Sequence, residues 1–453
     1  MFRFFRGNPA FSRALTVATG TSIAGGLTYT FQHDTGCESE DGLGKQSRLV
    51  NAHVIFRHGA RTPVFPCPGL EHLQWDKCKH VNRPTGMGGG PAIGLGDVHF
   101  KQLHVVHLDE GLPKPYSYVD DRAVRFNWLP GGTCRVGQLT DLGSKQASEL
   151  GKALRERYGD LIEHNSANVY ARSTNVARCL ATLSAVLGSL LPDNVHDVIK
   201  VDTLRNHEEY LTPNTRICEK MSHIIRTGRE EWLTDPGKQV KQLIEEMKAK
   251  LTKEQFESLD LPSNNLVRLR DWIVAIEAHE IKLPWEMSKE QIEAVDDLAV
   301  QQVSRYVGFR RDEKVSKAGM RLSIGRYVSE VLKEMRRAKE GMLYLTSAHD
   351  TTLVPLLITL DLFEEKQKWP GFCSDVAIEL WEDLSVAEPN EMITSGGSDN
   401  CYFVRILYNG EEKCKLLLTE FEELLEDRTP SSWKDECKVG HDVKILAESG
   451  SHF

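Results

Sequence analysis

The chain has 453 residues, of which 40% are hydrophobic and 27% charged, with a net charge of -9. This is a globular composition with room for a large core, organised as two or three domains or as one large α/β domain with an insertion. No global basic bias points to nucleic acid or an anionic membrane, so an anionic ligand has to be met by a local positive pocket.

Residues 1–33 differ from the rest. Arg3, Arg6 and Arg13 are the only charges before Asp34, and they sit among Phe2, Phe4, Phe5 and Phe11. Scattered arginines without acidic residues read as a mitochondrial presequence, with Ala14 to Phe31 as an alternative secretory signal or short anchor. Gly20, Gly25 and Gly26 dilute that stretch, so no stable membrane span is expected. No Asn-x-Ser/Thr sequon occurs, which leans away from a glycosylated secretory protein.

The apolar run Ala52-His53-Val54-Ile55-Phe56 predicts a buried strand, and Arg57-His58-Gly59-Ala60-Arg61-Thr62-Pro63 follows as the loop leaving it. Two guanidinium groups beside an imidazole make an anion site. They also disfavour the protonated ring, leaving a nitrogen free as a nucleophile. Gly59 lets the backbone approach a ligand closely, and Pro63 stops the strand. The bland alternative is a basic loop with a surface histidine.

From Cys67 to Gly131 the chain is rich in Gly, Pro, His and Asp and reads as a long loop insertion. Its run Gly86-Met87-Gly88-Gly89-Gly90-Pro91 lacks the following helix that a phosphate-cradling loop needs. Trp75, Tyr116, Tyr118, Phe126 and Trp128 either pack this loop down or line a substrate entrance. Leu142, Ala147, Leu150, Leu154 and Tyr158 then recur at helical spacing after Gly137-Gln138-Leu139-Thr140. Val169-Tyr170-Ala171 is a short strand ending in Arg172-Ser173-Thr174, followed by a helix with Val176, Leu180, Leu183 and Leu187 on one face. Arg172 thereby reaches the same sheet edge as the first loop, while Arg178 within the helix reads as structural.

Charged helices separated by Pro236, Pro262 and Pro284 form a helical insert over 214–308. One of them, Leu266 to His279, carries Asp271, Glu277 and His279; the histidine is either structural or a pocket residue. A long helix over 316–337 leads into the strand Met342 to Ala348, which ends in His349-Asp350. Strands over 375–383 and 402–410 and a helix over 419–426, with Thr419 and Glu422 at capping-box spacing, complete the domain. Ten cysteines are scattered without a C-x-x-C or a Cys/His cluster, so no zinc site is expected. Cys67 with Cys78, and Cys401 with Cys414, are near enough to pair in an oxidising compartment, with buried thiols the alternative.

The Arg-His-Gly loop, the Arg-Ser-Thr strand end and the His-Asp strand end together resemble the histidine acid phosphatases, from about Leu49 to Lys444. The resemblance implies a three-layer α/β/α core, here over 45–213 and 309–445, with the insert 214–308 as a cap. It implies phosphomonoester hydrolysis with His58 as the nucleophile that forms a phosphohistidine, Asp350 as the proton donor, and Arg57, Arg61, Arg172 and His349 on the phosphate. No metal or other cofactor is implied, since the arginines supply the positive charge. Further matches at Pro113-Lys114-Pro115-Tyr116-Ser117, Gly137-Gln138-Leu139-Thr140 and Trp369-Pro370 resemble the branch that converts lysophosphatidic acid to monoacylglycerol. The expected partner is therefore a small phosphomonoester, a lysophospholipid, bound by a monomer and with no nucleic acid. Alternatives are a broad acid phosphatase, an inositol-phosphate phosphatase, or a non-catalytic phospholipid-binding protein; simple binding has no need of the proton donor Asp350.

Overall fold

The computed structural model describes residues 46–64, 69, 75–78, 98–107, 134–193, 197–205, 208–309, 313–364, 367–385 and 401–438. The expected targeting segment 1–33, the Gly-rich run 86–96 and the aromatics Tyr116, Tyr118, Phe126 and Trp128 lie outside these residues.

An eight-stranded sheet organises the described chain in the order β2-β4-β3-β5-β1-β6-β7-β8. Strand β1 (Ser47–Arg57) lies between β5 (Met342–Ala348), its parallel neighbour, and β6 (Asp375–Asp383), which runs antiparallel. Beyond β5 come β3 (Val169–Ser173), β4 (Val198–Thr203) and β2 (Gln102–His107), all parallel. Beyond β6 come the antiparallel β7 (Tyr402–Tyr408) and β8 (Glu411–Leu417). Strand β2 falls inside the stretch expected to be only a loop; Leu103 and Val106 are buried there, and its backbone is paired along β4.

Side-chain alternation explains the continuous apolar run of β1. Ala52, Val54 and Phe56 pack against α1 (Asp141–Tyr158) and α2 (Ala177–Leu190) on one face. Ile55 faces the other layer, made by α9 (Arg326–Arg337), α10 (Asp350–Thr359) and α11 (Leu418–Glu426). A strand covered on both faces has no polar side to show. Each fully buried Ile or Phe of this kind contributes about 1.5–3 kcal/mol relative to exposure. The fold is thus the expected α/β/α sandwich.

Helices α3 (Glu219–Thr234), α4 (Lys238–Lys250), α5 (Lys253–Ser258), α6 (Leu266–Glu277) and α7 (Lys289–Tyr306) occupy the stretch read as a helical insert. Their apolar stripes, with Trp232 and Trp272 fully buried, share one cluster with Val354 and Ile358 of α10 and with Trp369. No described helix is long and apolar enough to cross a membrane.

Three local expectations are corrected. The helix read over 316–337 begins at Glu313 as α8 (Glu313–Met320) and carries a π-helical segment, Arg321–Gly325, before α9. A side chain at Gly325 would meet the Arg428 carbonyl, so the bulged turn packs backbone to backbone there. At α11 the carboxylate that returns to the backbone is Glu420, which accepts from the Leu417 amide at 2.8 Å, while Glu422 pairs with Arg336. Cys78 joins Cys134, not Cys67, and Cys218 joins Cys437. Cys414 is disulfide-bonded, but Cys401 is a thiol, so these two do not pair with each other. Nearness in sequence does not bring two Cα atoms within bridging distance; the fold does.

Candidate active site

The carboxyl ends of β1 and β5 are stitched together by the main chain. The His58 amide donates to the Ala348 carbonyl at 3.1 Å, and the Arg57 amide donates to Ser374 at 2.9 Å. Behind the histidine, the Gly59 amide donates to Thr182 Oγ1 at 3.1 Å and the Ala60 amide to Gln146 Oε1 at 2.8 Å, tying the loop to α2 and α1. Gly59 has no room for a side chain, since a Cβ would sit 2.3 Å from the Gly143 carbonyl oxygen. The Gly137-Gln138-Leu139-Thr140 segment lies along the same loop: the Thr62 amide donates to Gln138 and the Thr140 amide to Ala60, each at 3.0 Å. These bonds fix the course of the loop that carries Arg61.

His58 is buried, and its Nδ1 lies 2.9 Å from the Gly59 carbonyl oxygen. A carbonyl can only accept, so Nδ1 carries the proton and Nε2 keeps its lone pair. Burial, and then the charges of Arg178, Arg61, Arg57 and His349, push the His58 pKa well below that of an ordinary imidazole. The ring is therefore neutral. His349 stands edge-on to it, with ring centroids 5.6 Å apart. Its Nδ1 accepts from Arg178 Nη2 at 3.3 Å, which leaves Nε2–H to donate to Thr174 Oγ1 at 3.0 Å. Burial first, then Arg178, lower the His349 pKa to about 3.

Arg57, buried at the last position of β1, donates to the Pro370 carbonyl at 2.7 Å and pairs with Asp350 Oδ2 at 2.7 Å. Its guanidinium lies 4.3 Å from the Phe372 ring centroid, and burial pushes its pKa down to about 10. Asp350 opens α10, where it also accepts from Trp369 Nε1 at 3.1 Å. Burial works to raise its pKa, but Arg57, Arg61 and Arg270 overcome that and hold the carboxyl below the ordinary range. Arg61 pairs with Asp271 of α6 at 2.6 Å, and the second oxygen of Asp271 accepts from the Val64 amide at 2.9 Å. An insert helix thus holds a residue of the first motif.

His58, Arg57, Arg61, His349 and Asp350 come together as expected; Arg172 does not join them. Its Nη2 pairs with Glu209 at 2.9 Å, its Nη1 lies 3.7 Å from Glu330, and its guanidinium stacks 4.2 Å from the Tyr210 ring. Register is the reason. Arg172 is level with Thr346, and Thr346 with Ile55, so it lies two residues short of Arg57 and the carboxyl edge, and its side chain meets Glu209 and Glu330 on the side of the sheet covered by α9. Arg178, read as structural, instead extends from the first turn of α2 to His349 and is the foremost charge acting on His58. His279 is structural: Nδ1 donates to Ala275 at 2.6 Å, Nε2 lies 2.9 Å from Thr140 Oγ1, and Trp75 packs against its ring.

Neutral imidazole among fixed cations suits transfer of a phosphoryl group to histidine, and known proteins point the same way. The family model described as the histidine phosphatase superfamily, branch 2, matches residues 48–409, and the chain belongs to that superfamily. It is a phosphomonoester hydrolase of the histidine acid phosphatase type. Lysophosphatidic acid phosphatase type 6 of Homo sapiens is 28% identical over 379 residues, covering 81% of this chain and 78% of its own. Lysosomal acid phosphatase of Rattus norvegicus is 25% identical over 377 residues, covering 78% and 83%. Among solved structures, Hafnia alvei phytase with myo-inositol hexakis sulphate covers 87% of this chain and 99% of its own at a TM-score of 0.54 and 12% identity. At that identity the likeness is one of fold.

Proposed function

We propose that the protein hydrolyses lysophosphatidic acid to monoacylglycerol and phosphate through a phosphohistidine on His58 Nε2. The observation that carries the mechanism is the Nδ1–H bond to Gly59, which commits the lone pair to Nε2 in a ring kept neutral by burial and cations. Nε2 attacks phosphorus in line, the ester P–O bond breaks, and the departing alkoxide takes a proton. Arg57, Arg61 and Arg178 hold the equatorial oxygens, with Arg178 in the role expected of Arg172 and positioned there by His349 Nδ1. Asp350 mediates the proton transfer to the leaving oxygen and then activates the water that cleaves the phosphohistidine. Because the arginines keep Asp350 ionised in the empty site, its proton enters with the substrate as the phosphate monoanion. The lipid assignment is supported by the similarity to lysophosphatidic acid phosphatase type 6.

The disulfides bear on location. Bridges such as Cys78–Cys134 and Cys218–Cys437 persist in oxidising compartments, which favours the secretory reading of residues 1–33 over delivery to a reducing mitochondrial matrix.

The test uses phosphorus-labelled lysophosphatidate and an alkaline denaturing quench, because the P–N bond of phosphohistidine survives base and is lost in acid. Label is expected on the wild type and absent from His58→Ala, which should retain the fold and lose turnover. Substantial turnover by His58→Ala would overturn the mechanism. Faster hydrolysis of inositol phosphates or para-nitrophenyl phosphate than of lysophosphatidate would instead overturn the substrate.

A further inference from the structure

Helix α6 brings a further guanidinium to the site, that of Arg270, which is 5% exposed. Its Nε donates to Asp296 Oδ1 at 2.6 Å, and its plane lies over Trp369, 4.5 Å from the ring centroid. Trp369 is the residue whose indole N–H bonds Asp350 at 3.1 Å. Arg270 is therefore held across one indole ring from the carboxylate, near enough for its charge to act on both Asp350 and Arg57.

The pair with Asp296 engages only Nε. Neither Nη group hydrogen-bonds to a described residue, and neither is sealed from solvent. A largely buried guanidinium whose fork stays open to solvent keeps donors with no partner among the described residues, so a ligand that completes the fork gains charge-assisted hydrogen bonds there. The planar fork matches paired or neighbouring oxygens. Trp369 fixes its orientation and gives the opening an apolar wall.

On the proposed mechanism the phosphoryl oxygens are met by the arginines around His58, whereas Arg270 adjoins Asp350 across the Trp369 indole. We infer that Arg270 determines specificity by reading the alcohol half of the substrate, its fork taking an oxygen on the carbon next to the ester carbon. The favoured class is then phosphomonoesters of polyols and acylated polyols, over those of simple alkyl alcohols. This rests on the reading that puts Asp350 beside the leaving oxygen.

The experiment compares kcat/KM for glycerol 3-phosphate and propyl phosphate, primary alkyl esters that differ in the neighbouring hydroxyls, on the full chain. The wild type is expected to favour glycerol 3-phosphate, and Arg270→Gln to reduce that preference roughly 10- to 100-fold, the usual effect of losing a hydrogen bond to a charged donor. A parallel fall for both esters would assign Arg270 to the phosphoryl group, and an unchanged ratio would leave it no part in recognition; either result overturns the proposal. Should Arg270→Gln not fold, Arg270→Lys and Asp296→Asn replace it. Both disturb the fork's geometry while keeping a cation, and an unchanged ratio in both also overturns the idea. Failure of the underlying mechanism has a different signature, namely turnover by His58→Ala or no label trapped on the wild type.

Discussion

Two arginines on one strand–helix unit have opposite tasks, and substitution separates them. Arg172 and Glu209 are buried together, so Arg172→Met strands a carboxylate and is expected to cost about 3–5 kcal/mol, as breaking a buried pair does. The double variant Arg172→Met/Glu209→Gln should recover much of that loss in urea denaturation, with purified folded protein still active. Arg178→Gln should do the reverse, leaving the urea midpoint nearly in place and lowering kcat/KM by about 10²–10³-fold, the effect of removing one preorganised donor. Both arginines were visible in the sequence, but choosing between them was not possible there. The choice depends on how far along the sheet position 172 sits, level with Thr346 and short of the carboxyl edge, and register is a property of the paired strands. The motif residues His58, Arg57, Arg61 and Asp350 were legible because each sits in a local pattern of charge at a strand end.

Protonation gives a second test at the same scale. Asp350 has its pKa depressed, so it is already ionised well below neutral pH and cannot by itself bring a proton to the empty site. The substrate monoanion brings it, and kcat/KM is expected to be high below the second phosphate pKa of about 6 and to fall about tenfold per pH unit above it. His58 stays neutral throughout, so no loss of activity on its account should appear as pH drops through 6.5. A pH–rate profile on substrates with different second pKa values checks this, because the falling limb should move with the substrate.

Between elements, the decisive contact is the crossing of the β1 loop over the start of α1. A Cβ at Gly59 would lie 2.3 Å from the Gly143 carbonyl oxygen, and one at Gly143 would lie 2.1 Å from that of Ala60. Either Gly→Ala change forces these backbones apart and shifts His58. Gly59→Ala is therefore expected to lower kcat by at least about 10²-fold, the scale of a 1 Å misplacement, with the far-ultraviolet dichroism little changed. Element types over 142–158, 169–171, 342–348 and 375–383 could be read from periodicity. Strand β8 was not, since Glu411, Glu412 and Lys413 hide an edge strand behind charge, and β2 was obscured by the loops around it. The π-segment in the 313–337 helix has no periodicity signal, because it follows from the close pass of Gly325 against Arg428.

For the whole molecule, the Cys218–Cys437 bridge closes the longest described disulfide loop, with a sequence separation of 219. It joins the start of the helical insert to the end of the described chain. In the chain-entropy account a loop of that length is worth about 5 kcal/mol at most. The double change Cys218→Ser/Cys437→Ser is expected to lower stability by about 3–5 kcal/mol, measured by urea denaturation without reductant. Adding reductant to the wild type should reproduce that loss and add the effects of Cys78–Cys134 and of the bridge at Cys414. Neither pairing could be read in the sequence, since each joins segments that only the tertiary fold makes neighbours.

The central position of β1 also has a temporal consequence. The strand that leads into His58 is made early, yet both of its hydrogen-bonding neighbours, β5 and β6, lie roughly 300 residues later in the chain. At ribosomal speeds of about 5–20 residues per second, that interval is on the order of 15–60 s. Throughout it, an apolar strand with two unsatisfied edges has nothing to pair with, the condition in which nascent chains associate wrongly. The sheet's central strand therefore waits for partners at both its edges until translation is nearly finished, so the catalytic loop is among the last parts of the core to be fixed.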